Sequence, residues 1–191
     1  FTVPLDDPSG LVETHFEGTP ARVFVEGGLL YVTFRDRNSV ALLAADGSTV
    51  IASRDVCRTP EGLGRDGDDL IVACRDGRLL SVDPESLGER RSVFLDTDLR
   101  DVVVRVGKPL VVTRFGTAEL LIVDAEGGLI ERLRPPPESG RESRVGWRTI
   151  ALPDGTLAVL HQSNRLSLEA GIQGYSSVPP SSRVVSILNP E

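Results

Sequence analysis

The side chains best suited to chemistry in this chain are a set of arginines, one tryptophan, two histidines and two cysteines, and none stands in a complete catalytic motif. His161 has the chemistry of a general base or metal ligand, with Glu61 or Asp101 as an orienting acid, but no nucleophile is fixed beside it. Gly-x-Ser-x-Gly is absent. Asp66-Gly67-Asp68-Asp69 lacks the spacing of a calcium loop and reads as a hairpin turn. The run from Gly171 to Gly174 has no strand-to-helix context, so it is not a phosphate cradle. Cys57, Cys74, His15 and His161 are too widely spaced for a zinc site. The remaining chemistry is recognition. Guanidinium forks suit carboxylate or phosphate, and Trp147 offers a stacking face.

What must position these residues is a repeat. Leu30-Tyr-Val-Thr-Phe34, Leu70-Ile-Val-Ala-Cys74, Leu110-Val-Val-Thr-Arg114 and Leu157-Ala-Val-Leu-His161 recur at steps of 40, 40 and 47 residues. Short apolar runs separated by turns at this period predict an all-β fold, a β-propeller of four-stranded antiparallel blades. Each blade reads as strands A to D. The first full repeat places them at 22–26, 29–34, 40–44 and 49–54. The second places them at 62–65, 70–74, 79–82 and 89–95, and the third at 102–106, 110–114, 120–123 and 129–133. Gly, Asp and Asn at the joints suit tight hairpins.

The ends continue the pattern. Residues 11–16 read as a D strand and 1–5 as the C strand before it, while 145–152, 156–161 and 184–188 read as A, B and C. The expected organisation is one propeller region over 1–191. It comprises a partial blade at 1–17, blades at 18–57, 58–97 and 98–137, and a last blade at 138–191 whose B–C connection holds a long loop at 162–183. The favoured reading is part of a larger ring of about six to eight blades, ahead of a self-contained four-bladed ring and an open or self-assembled arc. The chain begins at Phe1 and contains no Met, which fits a processed product, an excised domain or a fragment.

The repeat register groups the chemistry-bearing residues. The entrance to strand A aligns Pro20, Pro60, Arg100 and Trp147, and the next column Ala21, Glu61, Asp101 and Arg148. The end of strand B aligns Phe34, Cys74, Arg114 and His161. Arg100, Arg114, Trp147, Arg148 and His161 thereby converge near one rim and form the candidate ligand-binding set. Two long insertions, 134–144 and 162–183, fall on that same face, where loops carry function. A structural reading stands beside this one. Arg100 with Asp101, or Arg148 with Glu61, would be inter-blade ion pairs; Trp147 would be core and His161 a hydrogen-bonded packing residue.

Hairpin pairing about the Asp66–Asp69 turn brings Cys57 and Cys74 opposite or nearly so, which makes a disulfide geometrically reasonable. A disulfide implies an oxidising compartment; the alternative is two buried thiols in a cytosolic protein. Net charge is -7, against wholesale nucleic-acid or anionic-membrane binding, and no run is long enough to span a membrane. Lys108 is the sole lysine among 21 basic residues, as a GC-rich genome would produce.

The motif Tyr31-Val-Thr-Phe34 resembles the Tyr-Val-Thr-Asn signature of YVTN-type propeller repeats of bacterial and archaeal surface and periplasmic proteins, with Phe for Asn. Val82-Asp83-Pro84 and Val123-Asp124 resemble that family's strand C ending. Cys57-Arg-Thr-Pro-Glu-Gly62, Val72-Ala-Cys74, 98–104, 114–119, Trp147-Arg148 and His161-Gln162 also resemble propeller regions of exported myxobacterial proteins, which often carry a c-type cytochrome segment. That segment needs Cys-x-x-Cys-His, which is absent here. No cofactor is therefore expected in this chain; the resemblance implies export and allows a haem on another segment or a partner. The expected function is a non-enzymatic binding or scaffold propeller whose loop-rich face meets a protein partner, the rest of the propeller or an anionic ligand. The alternative is a propeller component of a cytochrome-associated redox protein, and a lactonase-like hydrolase ranks third.

Overall fold

The computed structural model describes residues 15–137, 140–165 and 181–190, which divide into two compact units at Leu99/Arg100. In the first unit, β1 (Pro20–Glu26), β2 (Leu29–Phe34), β3 (Ser39–Ala44) and β4 (Val50–Asp55) form one antiparallel sheet in chain order. Strands β5 (Pro60–Asp66), β6 (Asp69–Cys74), β7 (Arg78–Val82) and β8 (Glu89–Phe94) form the next. In the second unit, β9 (Leu99–Val103), β10 (Leu110–Arg114), β11 (Leu120–Val123) and β12 (Leu129–Leu133) repeat the pattern. Strands β13 (Arg141–Ala151), β14 (Leu157–Arg165) and β15 (Ser181–Leu188) make a three-stranded sheet. Among the described residues, no helix is long and apolar enough to cross a membrane.

The middle strands are the most buried because both of their faces are covered. Strands β6, β7, β10 and β11 are nearly continuous apolar runs, as full burial requires. Tyr31, Val40 and Leu42 of the first sheet pack against Leu63, Leu70, Val72, Leu80 and Val82 of the second. In the second unit, Val103, Val111, Leu120 and Ile122 pack against Leu157 and Val159. Burying each such side chain contributes roughly 1.5–3 kcal/mol before chain entropy is counted.

The repeated local chemistry has a structural explanation. The β1–β2 register shifts between Pro20 and Arg22, and the β5–β6 register between Pro60 and Gly62, one repeat apart. The Arg22 N–H beside the first shift donates to Thr33 Oγ1 at 3.0 Å. In the third sheet the Asp101 N–H donates to Thr113 Oγ1 at 3.1 Å. The threonine one residue before the end of strand B thus accepts a strand A N–H in the first and third sheets; the second has Ala73 at that position. The Asp that follows strand C builds the next turn. Asp83 Oδ1 accepts the Ser86 N–H at 2.8 Å and its hydroxyl at 2.9 Å, and these bonds hold the Asp83 carboxyl down to about 2.

Several strands differ from the expected bounds. β9 ends at Val103 rather than 106 because the chain turns there: the Lys108 N–H donates to Arg105 O at 3.2 Å, and Pro109 has no N–H for the ladder. The fourth sheet is longer than expected, since β13 begins at Arg141, β14 runs on to Arg165 and β15 begins at Ser181. Both insertions are therefore partly extensions of paired strand: Glu142 faces Asn164, which faces Ser181. The strand expected over 11–16 falls largely outside the described residues, as does the one over 1–5. His15 and Phe16 are described but lie in no strand, and the Phe16 ring sits 5.9 Å from that of Phe34.

Cys57 and Cys74 form a disulfide, with Cα atoms 6.1 Å apart. Pro60 is the register partner of Cys74, so Cys57 reaches it from the coil before β5. Both cysteines are buried within the first unit's core.

Candidate functional site

All five expected ligand-binding residues lie in the second unit, and their described contacts tie each to a different neighbour. The Arg100 guanidinium lies 5.1 Å from the centre of the Phe115 ring. Arg114 Nη1 donates to Glu119 Oε2 at 2.9 Å. Arg148 Nη1 lies 3.8 Å from Asp101 Oδ1. Arg183 stands 5.8 Å above the Trp147 ring. His161 Nε2 is 2.9 Å from Ser186 Oγ.

His161 is only 1% exposed. Its Nδ1 lies 3.2 Å from Gln162 O, and a carbonyl only accepts, so Nδ1 carries the proton. In neutral imidazole Nε2 is then the acceptor for the Ser186 hydroxyl. This order activates a serine in hydrolases, but so deeply buried an imidazole is closed to substrate. The contact with Ser186 links β14 to β15.

The acids named with these arginines have defined partners. Glu61 pairs with Arg35 at 2.9 Å. Asp101 lies beside Arg148, and its Oδ2 accepts the Thr149 N–H at 2.7 Å. Glu119 is a hub missed in the sequence. Buried at 4% exposure, it accepts from Arg114 and Arg132, each at 2.9 Å, and from Arg134 at 3.3 Å. Burial pushes its pKa up, but the bonds from Arg114 and Arg132 outweigh this and hold it below the usual glutamate value. The five-residue spacing of Arg114 and Glu119 across the β10–β11 turn is the signal that could have revealed the pair.

Trp147 is positioned by a distorted strand. Opposite Gln162, His161 and Leu160 of β14, strand β13 sets Arg144, Gly146 and Arg148, which leaves Val145 and Trp147 as unpaired extra residues. Two adjacent bulges result, and bulges re-aim side chains. Val145 has a φ of 31°, which is strained for a β-branched residue. The Gly146 N–H donates to Phe115 O at 2.6 Å. A Cβ on Gly146 would lie 3.0 Å from Arg114 O and 3.1 Å from Ala118 Cα, so glycine alone fits this approach.

Trp147 lines a cavity of about 410 Å³ together with Gln162, Ser181, Ser182 and Arg183. Gln162 and Arg183 are direct cross-strand partners, so their side chains share one face. Ser182 is braced from below by Arg141, whose Nη1 donates to Ser182 Oγ and to Ser163 O, both at 3.0 Å. Arg183 had been expected to end a loop; the lengthened β14–β15 pairing is what makes it a site residue. Among the described residues, no group of three or more His, Cys, Asp or Glu side chains gathers as a metal site would require.

No family model and no curated protein matches the chain. Solved structures do. Hydrazine synthase from Kuenenia stuttgartiensis matches 93% of this chain and 66% of its own, at 17% identity and a TM-score of 0.59. BamB from Moraxella catarrhalis matches 78% of this chain and 51% of its own, at 14% identity and a TM-score of 0.57. The β-propeller domain of Cps50 (Swd1) from Myceliophteria thermophila matches 81% of this chain and 53% of its own, at 14% identity and a TM-score of 0.60. The chain thus spans between about half and two thirds of each matched structure. At these identities the likeness is one of fold: four-stranded antiparallel sheets at a spacing of about 40 residues, the architecture of a β-propeller.

Proposed function

We infer that this chain is part of a non-enzymatic binding propeller, in an exported protein, that engages an anionic ligand or a protein partner through the lengthened end of its fourth sheet. One observation carries the reading: a bulged strand sets Trp147 at a cavity whose only charged lining residue, among the described residues, is Arg183. Stacking and hydrogen bonding are available there, and among the described lining residues no histidine or carboxylate stands beside the serines as a base. Export is supported by the buried Cys57–Cys74 bridge, which suits an oxidising compartment. Kinship to YVTN-type repeats rests on the 31–34 motif, in which Thr33 accepts the Arg22 N–H. The cytochrome-associated alternative rests on sequence resemblance alone.

The test is calorimetric titration of the protein with inorganic phosphate, citrate, glucuronate and a glutamate-rich peptide, repeated with Trp147→Ala. Saturable binding of at least one probe that is lost in the variant is expected. If nothing binds, or if whatever binds ignores Trp147, the reading fails.

A further inference from the structure

Resting on that reading, the geometry points to a specific ligand class for the Trp147 cavity: a sugar ring bearing a carboxylate, such as a uronate unit of an acidic polysaccharide. Four features of the lining converge on it.

The first is the indole face. Its apolar, electron-rich surface suits the C–H face of a pyranose, whose hydrogens carry partial positive charge. The second is the hydrogen-bonding set. Gln162 and Ser181 present both donors and acceptors, as vicinal hydroxyls require, and hydroxyls likewise both donate and accept. An anion such as sulfate would use only the donors.

The third feature is charge. Among the described residues, Arg183 is the one charged residue of the lining, with no carboxylate beside it in that set. One guanidinium balances one negative charge and offers a bidentate fork to a carboxylate. A phosphate monoester carries about -1.5 to -2 at neutral pH and calls for more than one cation. The fourth is rigidity. The Arg141–Ser182 bond ties β13 to β15 behind the site, and the two bulges flanking Gly146 set Trp147, so the strands that carry the lining are held together. A cavity of about 410 Å³ lies within the range of roughly 300–1,000 Å³ usual for small-molecule sites.

Trp147 is the chain's only tryptophan, so its emission reports this cavity without labelling. The experiment is a fluorescence titration with glucuronic acid and oligogalacturonate, with glucose and glucose 6-phosphate as comparators. A saturable change with the uronates is expected, at least ~10-fold tighter than with glucose, the difference that one charged hydrogen-bonding partner supplies. Arg183→Ala should abolish that preference while circular dichroism stays unchanged, and Arg183→Lys should restore part of it.

Equal response to glucose and glucuronate overturns the proposal, as does tighter binding of glucose 6-phosphate, or no response to any sugar. Should uronates fail while citrate or the acidic peptide binds in a Trp147-dependent way, the sugar assignment falls and the binding function stands. If every probe fails, both fall together.

Discussion

The buried carboxylate of Asp101, on β9, accepts the Thr149 N–H of β13 at 2.7 Å and so fastens two sheets of the second unit to each other. Asp101→Ala removes the acceptor and strands a buried N–H, which should cost about 1–3 kcal/mol in urea unfolding. Arg148, also beside Asp101, has a half-exposed side chain, and Arg148→Ala should cost under about 1 kcal/mol. Equal losses from the two variants would show that the ion pair, rather than the hydrogen bond, is the fastening.

The Cys57–Cys74 bridge closes a loop with a sequence separation of 17. In the chain-entropy model a loop of this size stabilises by about 3 kcal/mol. Cys57→Ser and Cys74→Ser should each lose about that amount, and the double variant little more, because either change opens the same loop. Additive losses in urea denaturation under oxidising conditions would mean that side-chain packing outweighs the cross-link.

Glu119 makes stability depend on pH. Its folded-state pKa is below the ordinary 4.5, so its ionised form contributes stability that is complete above that value and lost as pH falls through the lower folded value. Glu119→Gln should therefore destabilise at pH 7, by about 1–3 kcal/mol given its hydrogen bonds to charged partners. The gap to the parent protein should narrow below pH 4.5. Thermal melts of both proteins across the acid range check this; a constant gap would exclude the linkage.

Gly146→Ala sets a Cβ 3.0 Å from Arg114 O and 3.1 Å from Ala118 Cα, both backbone atoms with little room to yield. Overpacking of this kind costs about 1–3 kcal/mol, and the backbone shift should carry Trp147 with it. A changed tryptophan emission spectrum alongside a lowered Tm is expected. Unchanged emission would separate the bulge from the position of Trp147.

The fold was legible because its signal is local. The runs at Leu30, Leu70 and Leu110 return every 40 residues, and turn residues punctuate them, so β2, β10, β11 and β12 fall within their expected bounds. The fourth sheet was less legible. Arg141–Arg144 and Gln162–Arg165 are too polar to read as buried strand, yet they pair in register, because an antiparallel ladder is held by backbone groups whatever the side chains are. The site was legible as residue types, not as partners. Trp147 and His161 stood out, but Arg183 and Ser186, which complete their surroundings, are reached only across a strand pairing.

The sequence by itself determined the strand order, the turn chemistry and the arginine-rich character, because each follows from alternation, spacing or composition. Only the tertiary structure decided which arginine meets which acid, that His161 is sealed among strands, and that two bulges turn Trp147 toward Arg183. A bulge displaces register by a single residue, and one residue is enough to move a side chain to the other face of a sheet. No repeat period records a displacement that small.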